Sequence, residues 1–326
     1  MSSRYPRVSI GLPVYKGENF IRETIDSLLG QSFEDFELVI CDNASPDRTE
    51  EICRTYAKQD KRVRYFRNEK NIGAAQNCNR TFTLSSGQYF KWSAHDDICA
   101  PEYLAQCVAV LDRDPSVVLC HTKTRFINAD GSLTEFDPAS KAFTDNSGAH
   151  WYLDPPRRLN SPKPHERLND FLLYTRIVFE IFGVIRREAL ENTELFRNYY
   201  ASDRALLADL ILRGRFFELP DELFFRRCHP QQASQSSMKE RAERVDPDAP
   251  EAVMLSGRKN FFSYLALVRD AQISPIEKGL CFFALARLVL QPNTLKKLFV
   301  PGQYNYFGID FNRTDNQRSE SKKRSA

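Results

Sequence analysis

The sequence predicts an α/β fold built on a mostly parallel sheet with flanking helices. Over residues 7–97, short runs of aliphatic and β-branched residues alternate with stretches of helical spacing, a pattern typical of repeated βαβ units. Acidic residues follow the second and the fourth predicted strand, at the sheet edge where open α/β sheets bind ligands. With 326 residues, 42% hydrophobic and 27% charged, the chain is long enough to bury a large core.

The predicted elements of the first half follow one another in regular order. Strands are expected at Val8–Leu12, Leu38–Cys41, Val63–Phe66, Tyr89–Trp92 and Val117–Phe126. Asn19 is the expected cap of the first helix, and Ser45 with Pro46 is the expected start of the second. Two further helices are expected over residues 73–85, ended by Gly87, and from Pro101 to Leu111.

The second half is less regular. Residues 140–163 are polar and rich in Pro, Ser and Asn, which predicts a long ordered loop or a mobile lid. Helices are expected over 166–174, over 203–212 and in a block from 252 to 299, and residues 216–226 are expected to be extended. The charged tail after Asp310 is expected to be disordered.

Composition excludes several classes of protein. A net charge of +3 gives no argument for nucleic acid as a partner. The eight cysteines include no C-x-x-C pair and no zinc spacing, which favours a reduced, cytoplasmic setting. Neither an apolar signal core nor an apolar run of about 18 residues is found, so a soluble or peripheral protein is expected.

The adjacent carboxylates Asp96 and Asp97 follow the fourth predicted strand. Two neighbouring acids are costly to hold together without a cation, and Mg²⁺ or Mn²⁺ could bridge them to a diphosphate. The alternative is an ordinary helix cap before Pro101.

Other candidates follow the first three strands. Asp42 could accept a hydrogen bond from the ring N–H of uracil, thymine or guanine, or could simply form an Asx turn. Tyr15 could stack on a base. Residues 71–73, which contain a single glycine before a helix, could bring the backbone close to phosphates.

Together these motifs resemble the family 2 glycosyltransferases of the GT-A fold. The resemblance is carried by residues 8–18, 37–47, 71–73 and 95–97, in the order and spacing of the family. It implies a GT-A domain over residues 1–234, with a nucleotide-binding half at 7–128 and an acceptor-binding half at 129–234. A helical region at 235–310 and a disordered tail at 311–326 would follow.

The resemblance also implies roles for individual residues. Asp203 would be the catalytic base, although Ser202 replaces the family's usual Glu; the alternative is an acidic residue in a first helical turn. Asp97 and His229 would hold a divalent metal, Mn²⁺ or Mg²⁺. Arg226 or Arg227 would contact phosphate or lie on the surface. The nucleotide-sugar pocket would be lined by Pro13, Tyr15, Glu18, Asp42, Asn71, Gly73 and Asp96.

The function implied is metal-assisted, inverting transfer of a glycosyl group from a nucleotide-diphosphate sugar to a saccharide or lipid-linked acceptor. UDP-sugars are the first expectation, and dTDP- or GDP-sugars are the alternatives. A catalytically silent nucleotide-sugar binder in a polysaccharide assembly complex is the rival function. A nucleotidyltransferase is disfavoured, because residues 13–17 lack a glycine-rich basic loop. Trp151 and Tyr152 could stack on a sugar or serve as packing anchors.

Residues 276–300 combine many apolar residues with several lysines and arginines. They could form an amphipathic surface that contacts the inner face of the membrane and anionic lipid. The alternative is a helical hairpin, turned at Pro292-Asn293, that packs on the α/β core.

Overall fold

The computed structural model describes residues 5–139, 142–232, 238–248, 250 and 256–291. Its main sheet has eight strands in the order β3-β2-β1-β4-β10-β6-β11-β5. These strands are β1 (Val8–Val14), β2 (Phe36–Asp42), β3 (Val63–Arg67), β4 (Tyr89–Trp92), β5 (Ile98–Cys99), β6 (Val117–Ile127), β10 (Val184–Arg186) and β11 (Arg215–Arg227). The expected disordered tail at 311–326 lies outside the described residues.

The sheet is mostly parallel, as predicted. Strand β1 pairs in parallel with β2 and β4, β2 with β3, and β6 with β11, whereas β10 runs antiparallel between β4 and β6. The chain therefore moves outward from β1 to β3 and then returns to the other side of β1 at β4. This reversal is a topological switch point, and it opens a crevice beyond the carboxyl ends of β1 and β4.

Helices cover both faces of the sheet, and each face has its own hydrophobic core. One core contains Ile10 and Leu12 of β1, and the other contains Phe90 and Trp92 of β4. The helices are α1 (Ile21–Leu29), α2 (Thr49–Gln59), α3 (Ala74–Thr83), α4 (Tyr103–Arg113), α5 (Pro164–Tyr174), α6 (Arg187–Glu191), α7 (Asp203–Arg213), α8 (Met238–Val245), α9 (Ser256–Asp270) and α10 (Pro275–Val289).

Two predicted helix starts are wrong. Helix α1 begins at Ile21 without a side-chain cap, so Asn19 is not its cap. Helix α2 begins at Thr49, whose N–H and hydroxyl both donate to Asp47 Oδ1 at 3.1 and 2.6 Å. Ser45 cannot start this helix, because its N–H donates to Asp42 and its hydroxyl accepts from the N–H of Lys16.

The predicted loop at 140–163 is also wrong in its first part. A second, three-stranded antiparallel sheet forms from β7 (Glu135–Asp137), β8 (Ala142–Thr144) and β9 (His150–Tyr152). Trp151 is buried, stacks on Phe126 and donates its indole N–H to Asp145 at 2.9 Å, so it is a packing anchor. Strands of three residues are too short to show an alternating pattern in the sequence.

The predicted C-terminal helical block is divided into two helices. Ser274 caps α10 by accepting the N–H of Glu277, and Pro275 takes the first helical position. Cys281, Leu285 and Leu288 are buried in the core that α5 and α7 share, which confirms packing on the α/β domain. The predicted turn at Pro292-Asn293 lies outside the described residues. Within the described ranges, no helix has the length and apolar character needed to span a bilayer.

Candidate functional site

The crevice at the switch point contains the acidic motif of the fourth strand. His95, Asp96 and Asp97 follow β4, and residues 15–18 follow β1. A Cβ built on Gly17 would lie 3.2 Å from the His95 ring and 2.6 Å from Val14. Gly17 therefore lets the loop after β1 approach the acidic motif closely.

Asp96 pairs with His229, which the chain brings back to the crevice directly after β11. The distance from His229 Nε2 to Asp96 Oδ2 is 2.9 Å, and both side chains are buried. The His229 ring also lies against Phe20, with centroids 4.6 Å apart. The structure thus places His229 beside Asp96 and not beside Asp97.

Asp97 pairs with Arg226. Nη1 of Arg226 lies 3.1 Å from both carboxylate oxygens of Asp97, and the N–H of Arg227 donates to Oδ1 at 3.0 Å. The Asp97 side chain is fully buried and that of Arg226 is 15% exposed. A helix cap is not what holds these acids, since α4 begins only at Tyr103.

Arg227 stabilises the backbone of the same motif. Its side chain is 0% exposed, and it donates to the carbonyls of Asp96 and Ala129 and to Glu23. The sequence left Arg226 and Arg227 open as phosphate contacts or surface charges; the structure places neither on the surface. Their partner residues are about 130 positions away in the sequence, so no local pattern reveals the pairing.

The two adjacent acids differ in their acidity. Burial alone would raise the pKa of Asp96, but the hydrogen bond from His229 and the nearby cations lower it overall. Burial raises the pKa of Asp97 despite Arg226, and the charge of Asp96 adds to that rise. Two ionised carboxylates here are thus only partly compensated, and further positive charge would stabilise them.

Asp42 is fully buried at the end of β2. Oδ1 accepts the N–H of Ser45, and Oδ2 accepts from Tyr65 and Arg67 at 2.7 and 2.6 Å. The Asx-type turn at Ser45 is therefore present. A carboxylate has about four acceptor positions, so these bonds leave room for one more donor, and base recognition by Asp42 stays a prediction.

An asparagine network that the sequence did not predict fixes the loop after β3. Asn43 donates to Asn71, and Asn43 Oδ1 accepts from Asn68 and from the N–H of Ile72. Asn77 extends the network to the end of β2 by donating to the carbonyl of Cys41. Four asparagines between residues 43 and 77 were the available signal. They orient residues 71–73, the loop predicted to approach the phosphates.

Further residues were predicted to line the nucleotide-sugar pocket. Pro13 is partly exposed, and Tyr15 is 36% exposed with Lys16 Nζ above its ring. Glu18 is exposed and accepts the N–H of Arg48, at the start of α2. Gly73 has φ of +86°, which a side chain would strain. Tyr15 is thus accessible for stacking, whereas Glu18 is engaged with the residues just before α2.

Asp203 is the first residue of α7, as predicted. Its Oδ1 accepts the N–H of Arg204 at 2.8 Å. Burial raises the pKa of Asp203 above its usual value, although the Arg204 charge opposes this. Within the described residues, no hydrogen bond joins Asp203 to the Asp96–His229 pair.

The donor atoms at Asp96 and His229 fit a metal shared with a phosphate. In the ranges that the structure describes, no three His, Cys, Asp or Glu side chains form a cluster able to hold a metal. Magnesium is usually bound by one or two carboxylates together with substrate phosphates, so a complete protein cage is not required. Nδ1 of His229 is buried and has no partner among the described residues. Asp97 would join such a set only if Arg226 released it.

The glycosyl transferase family 2 pattern matches residues 9–192, which is more than half of the chain. The chain belongs to this family. The hyaluronan synthase of Pasteurella multocida is 32% identical over 131 residues, 40% of this chain and 13% of that protein. An uncharacterized glycosyltransferase of Methanocaldococcus jannaschii is 29% identical over 143 residues, 43% of this chain and 49% of its own length. The relatives are thus matched over half of their length or less.

Solved structures confirm the GT-A fold. Residues 1–349 of S. aureus TarS in complex with UDP-GlcNAc align with a TM-score of 0.59 at 19% identity, covering 88% of this chain and 74% of that one. The mannosyltransferase PcManGT from Pyrobaculum calidifontis, in complex with GDP-Man and Mn²⁺, aligns with a TM-score of 0.51 at 18% identity, covering 91% and 84%. At these identities the likeness concerns the fold alone.

Proposed function

We propose that this chain transfers a glycosyl group from a nucleotide-diphosphate sugar to a hydroxyl of a saccharide or lipid-linked acceptor. The observation that supports this most is the cluster of Asp96, Asp97, His229 and Arg226 at the switch point of a family 2 domain. A diphosphate bound there would lie against two carboxylates, and the charge balance calls for a divalent cation between them.

In this proposal Asp203 takes the proton of the acceptor hydroxyl as its oxygen attacks the anomeric carbon. The bond to the diphosphate breaks on the opposite side of the sugar, so the configuration inverts. Arg226 and His229 hold Asp97 and Asp96 in place beside the leaving group. Mn²⁺ or Mg²⁺ held by this acidic motif with His229 would neutralise the charge of the departing diphosphate.

Asp42 and Tyr15 would recognise the base of the donor nucleotide. UDP is the first expectation for this nucleotide, and dTDP or GDP are the alternatives. A thermal-shift panel of the three classes of nucleotide-sugar, each with Mn²⁺, tests the donor. Saturating donor at about 100 times its Kd stabilises a protein by about 2.7 kcal/mol, which raises Tm by several degrees. A flat response to all three would contradict the proposed donor class.

Excess chelator tests the metal and also the rival function. Transfer should stop in chelator and return with added Mn²⁺ or Mg²⁺. A catalytically silent nucleotide-sugar binder would shift in the thermal panel but turn over no donor with any metal. Full transfer in excess chelator would remove the metal from the proposal.

The surface of α10 favours an additional role in membrane contact. Ile276, Phe283 and Leu290 are 77%, 64% and 82% exposed, and their spacing of seven residues places them on one side of the helix. Cys281 and Leu285 on the opposite side are buried, so the helix packs on the core and still presents an apolar face. We propose that this face contacts a membrane surface, which suits a lipid-linked acceptor.

Co-sedimentation with anionic vesicles tests this contact. Phe283→Ser should lower the bound fraction, whereas Phe136→Ser, at a residue 45% exposed on the second sheet, should leave it unchanged. Point variants are preferable to removal of α10, because removal would expose the core at Leu285. If the parent does not sediment at low salt, the membrane contact fails and the donor proposal is unaffected.

A further inference from the structure

Helix α8 connects two segments that border the crevice. Arg241 Nη1 donates to the hydroxyl of Tyr200 at 3.0 Å, and Arg244 Nη2 donates to the carbonyl of Gln231 at 3.2 Å. Tyr200 lies three positions before Asp203, and Gln231 lies two positions after His229. The helix therefore joins the neighbourhood of the proposed base to that of the acidic motif.

The end of α8 also contacts the loop at residues 71–73. A Cβ built on Gly73 would lie 2.1 Å from the carbonyl oxygen of Val245 and 3.4 Å from Pro247. Gly73 was predicted to let phosphates approach the backbone; in the structure the close approach is made by Val245. The end of α8 thus lies against Gly73, one of the residues predicted to bind the donor.

The helix has two different faces. Arg241, Arg244 and Val245 share the side that faces the crevice, as expected for residues three and four positions apart. Lys239 and Glu243 occupy the opposite side, where they lie 4.0 Å apart and are 86% and 49% exposed. Arg241 is partly buried and Arg244 is exposed, and both lie on the side of the helix opposite the Lys239–Glu243 pair.

The charge of Arg244 has no carboxylate partner within the described residues, where its one hydrogen bond is to the carbonyl of Gln231. The same charge acts on His95, which directly precedes Asp96. Arg244 is exposed, so it is free to reorient toward an anion that enters the pocket. Guanidinium groups are well suited to phosphate oxygens, because their N–H groups match them in geometry and charge.

Two of the contacts that position this segment lie at the surface. Lys70 Nζ pairs with Asp248 at 2.8 Å, but the two side chains are 70% and 72% exposed. Asn198 donates to Asp246 at 2.6 Å, also at the surface. An exposed ion pair such as Lys70–Asp248 contributes about 0–1 kcal/mol, so this pair adds little to the stability of α8 in its position.

We infer that α8 is a strap that closes over the bound donor and that Arg244 and Arg241 bind its diphosphate. The inference rests on the proposed function for the donor class. It assigns a binding role to a segment that follows the acidic motif by more than 140 residues and that the family match at 9–192 does not include. Donor exchange would require the strap to open.

Calorimetric binding of UDP and of uridine to the full chain in Mn²⁺ tests the strap. Arg244→Gln should weaken UDP binding about tenfold or more, because a charge-assisted contact to phosphate is lost. Arg241→Gln should also weaken it. Uridine carries no phosphate, so its affinity should stay within about twofold of the parent value. Lys239→Gln, the same charge change on the outer face, is the matched control and should leave both affinities unchanged.

The outcomes separate the two proposals. If the parent binds UDP and both arginine variants bind it equally well, the strap inference is overturned and the donor proposal stands. If the parent binds none of UDP, dTDP and GDP, both are overturned. Arg244→Lys should regain part of the affinity, and thermal unfolding of each variant checks its fold. Trypsin cleavage at Lys239 and Arg241 should slow when UDP is added; equal rates with and without bound UDP would contradict closure.

Discussion

Two acidic residues with predicted roles, Asp96 and Asp203, occupy opposite environments. Burial alone would raise the pKa of Asp96, but the hydrogen bond from His229 and the nearby charge of Arg226 lower it overall. Asp203 is also desolvated; its carboxylate accepts the N–H of Arg204, and burial raises its pKa. Asp96 is therefore stabilised in its ionised form, whereas Asp203 binds a proton more readily than an ordinary aspartate.

This difference teaches how one domain can assign different chemistry to identical side chains. A carboxylate whose pKa is lowered stays ionised and suits a cation or a charged leaving group. A carboxylate whose pKa is raised toward neutrality binds a proton more readily when it acts as a base. The comparison therefore supports Asp203 for proton transfer and the Asp96 motif for the diphosphate.

The largest expected effect comes from Asp203→Asn. The amide cannot take the proton of the acceptor, so turnover should fall by about two to four orders of magnitude, as loss of a general base predicts. Donor binding should be retained, since Asp203 makes no hydrogen bond to the acidic motif in the described residues. Steady-state transfer and calorimetric UDP binding measure the two quantities. Turnover close to that of the parent would remove Asp203 from this role and break the comparison.

A smaller effect is expected when the two acids of the motif are exchanged one at a time. Asp96→Asn should raise the Mn²⁺ concentration for half-maximal transfer by about 10–100-fold, because His229 would lose its charged partner beside the metal. Asp97→Asn should instead leave the Mn²⁺ requirement unchanged, because the Asp97 carboxylate is occupied by Arg226 and by the N–H of Arg227.

Denaturant unfolding and metal titration of both variants, with Glu51→Gln at an exposed acidic residue as the control, distinguish these results. An altered metal requirement in Asp97→Asn with unchanged stability would show that Asp97 is a ligand, as the family resemblance implies. The assignment of His229 to Asp96 would then describe only the metal-free arrangement.

The positions of the acidic residues in the nucleotide-binding half were predictable from local sequence, whereas most of their partners were not. Strands β1 to β4 carry short apolar runs whose ends place Asp42 and Asp96 at one sheet edge, so the βαβ pattern was sufficient. The partners of Asp97 and Asp96 are Arg226, at the end of β11, and His229, directly after it, about 130 positions away in sequence. Pairing over that distance depends on the fold and leaves no periodic signal.

The second sheet and the contacts of the strap were missed for different physical reasons. Strands β7 to β9 contain three residues each, and their stability comes from the packing of Phe143 and Trp151 on Phe126. Helix α8 lies within the helical region predicted at 235–310, but its contacts with Tyr200 and Gln231 join separate segments of the chain, so they depend on the fold and leave no local signal.

The smallest expected effect concerns the stability cost of the proposed base. The folded-state pKa of Asp203 is raised, so ionisation favours the unfolded chain, and this destabilisation is present at neutral pH. It should fade as pH falls through the folded pKa and be absent below the unfolded value of about 3.9.

Asp203→Asn keeps an oxygen for the N–H of Arg204 and removes the buried charge. Its Tm should therefore exceed that of the parent by about 1–3 °C at pH 7 and match it near pH 3.5. Asp170→Asn in α5 is the control: burial would raise the pKa of Asp170, but its hydrogen bonds from Arg158 lower it overall, so the amide should lower Tm at pH 7. A lower Tm for Asp203→Asn at pH 7 would mean that the charge of Arg204 outweighs desolvation, and the two acidic environments would then differ less than the comparison requires.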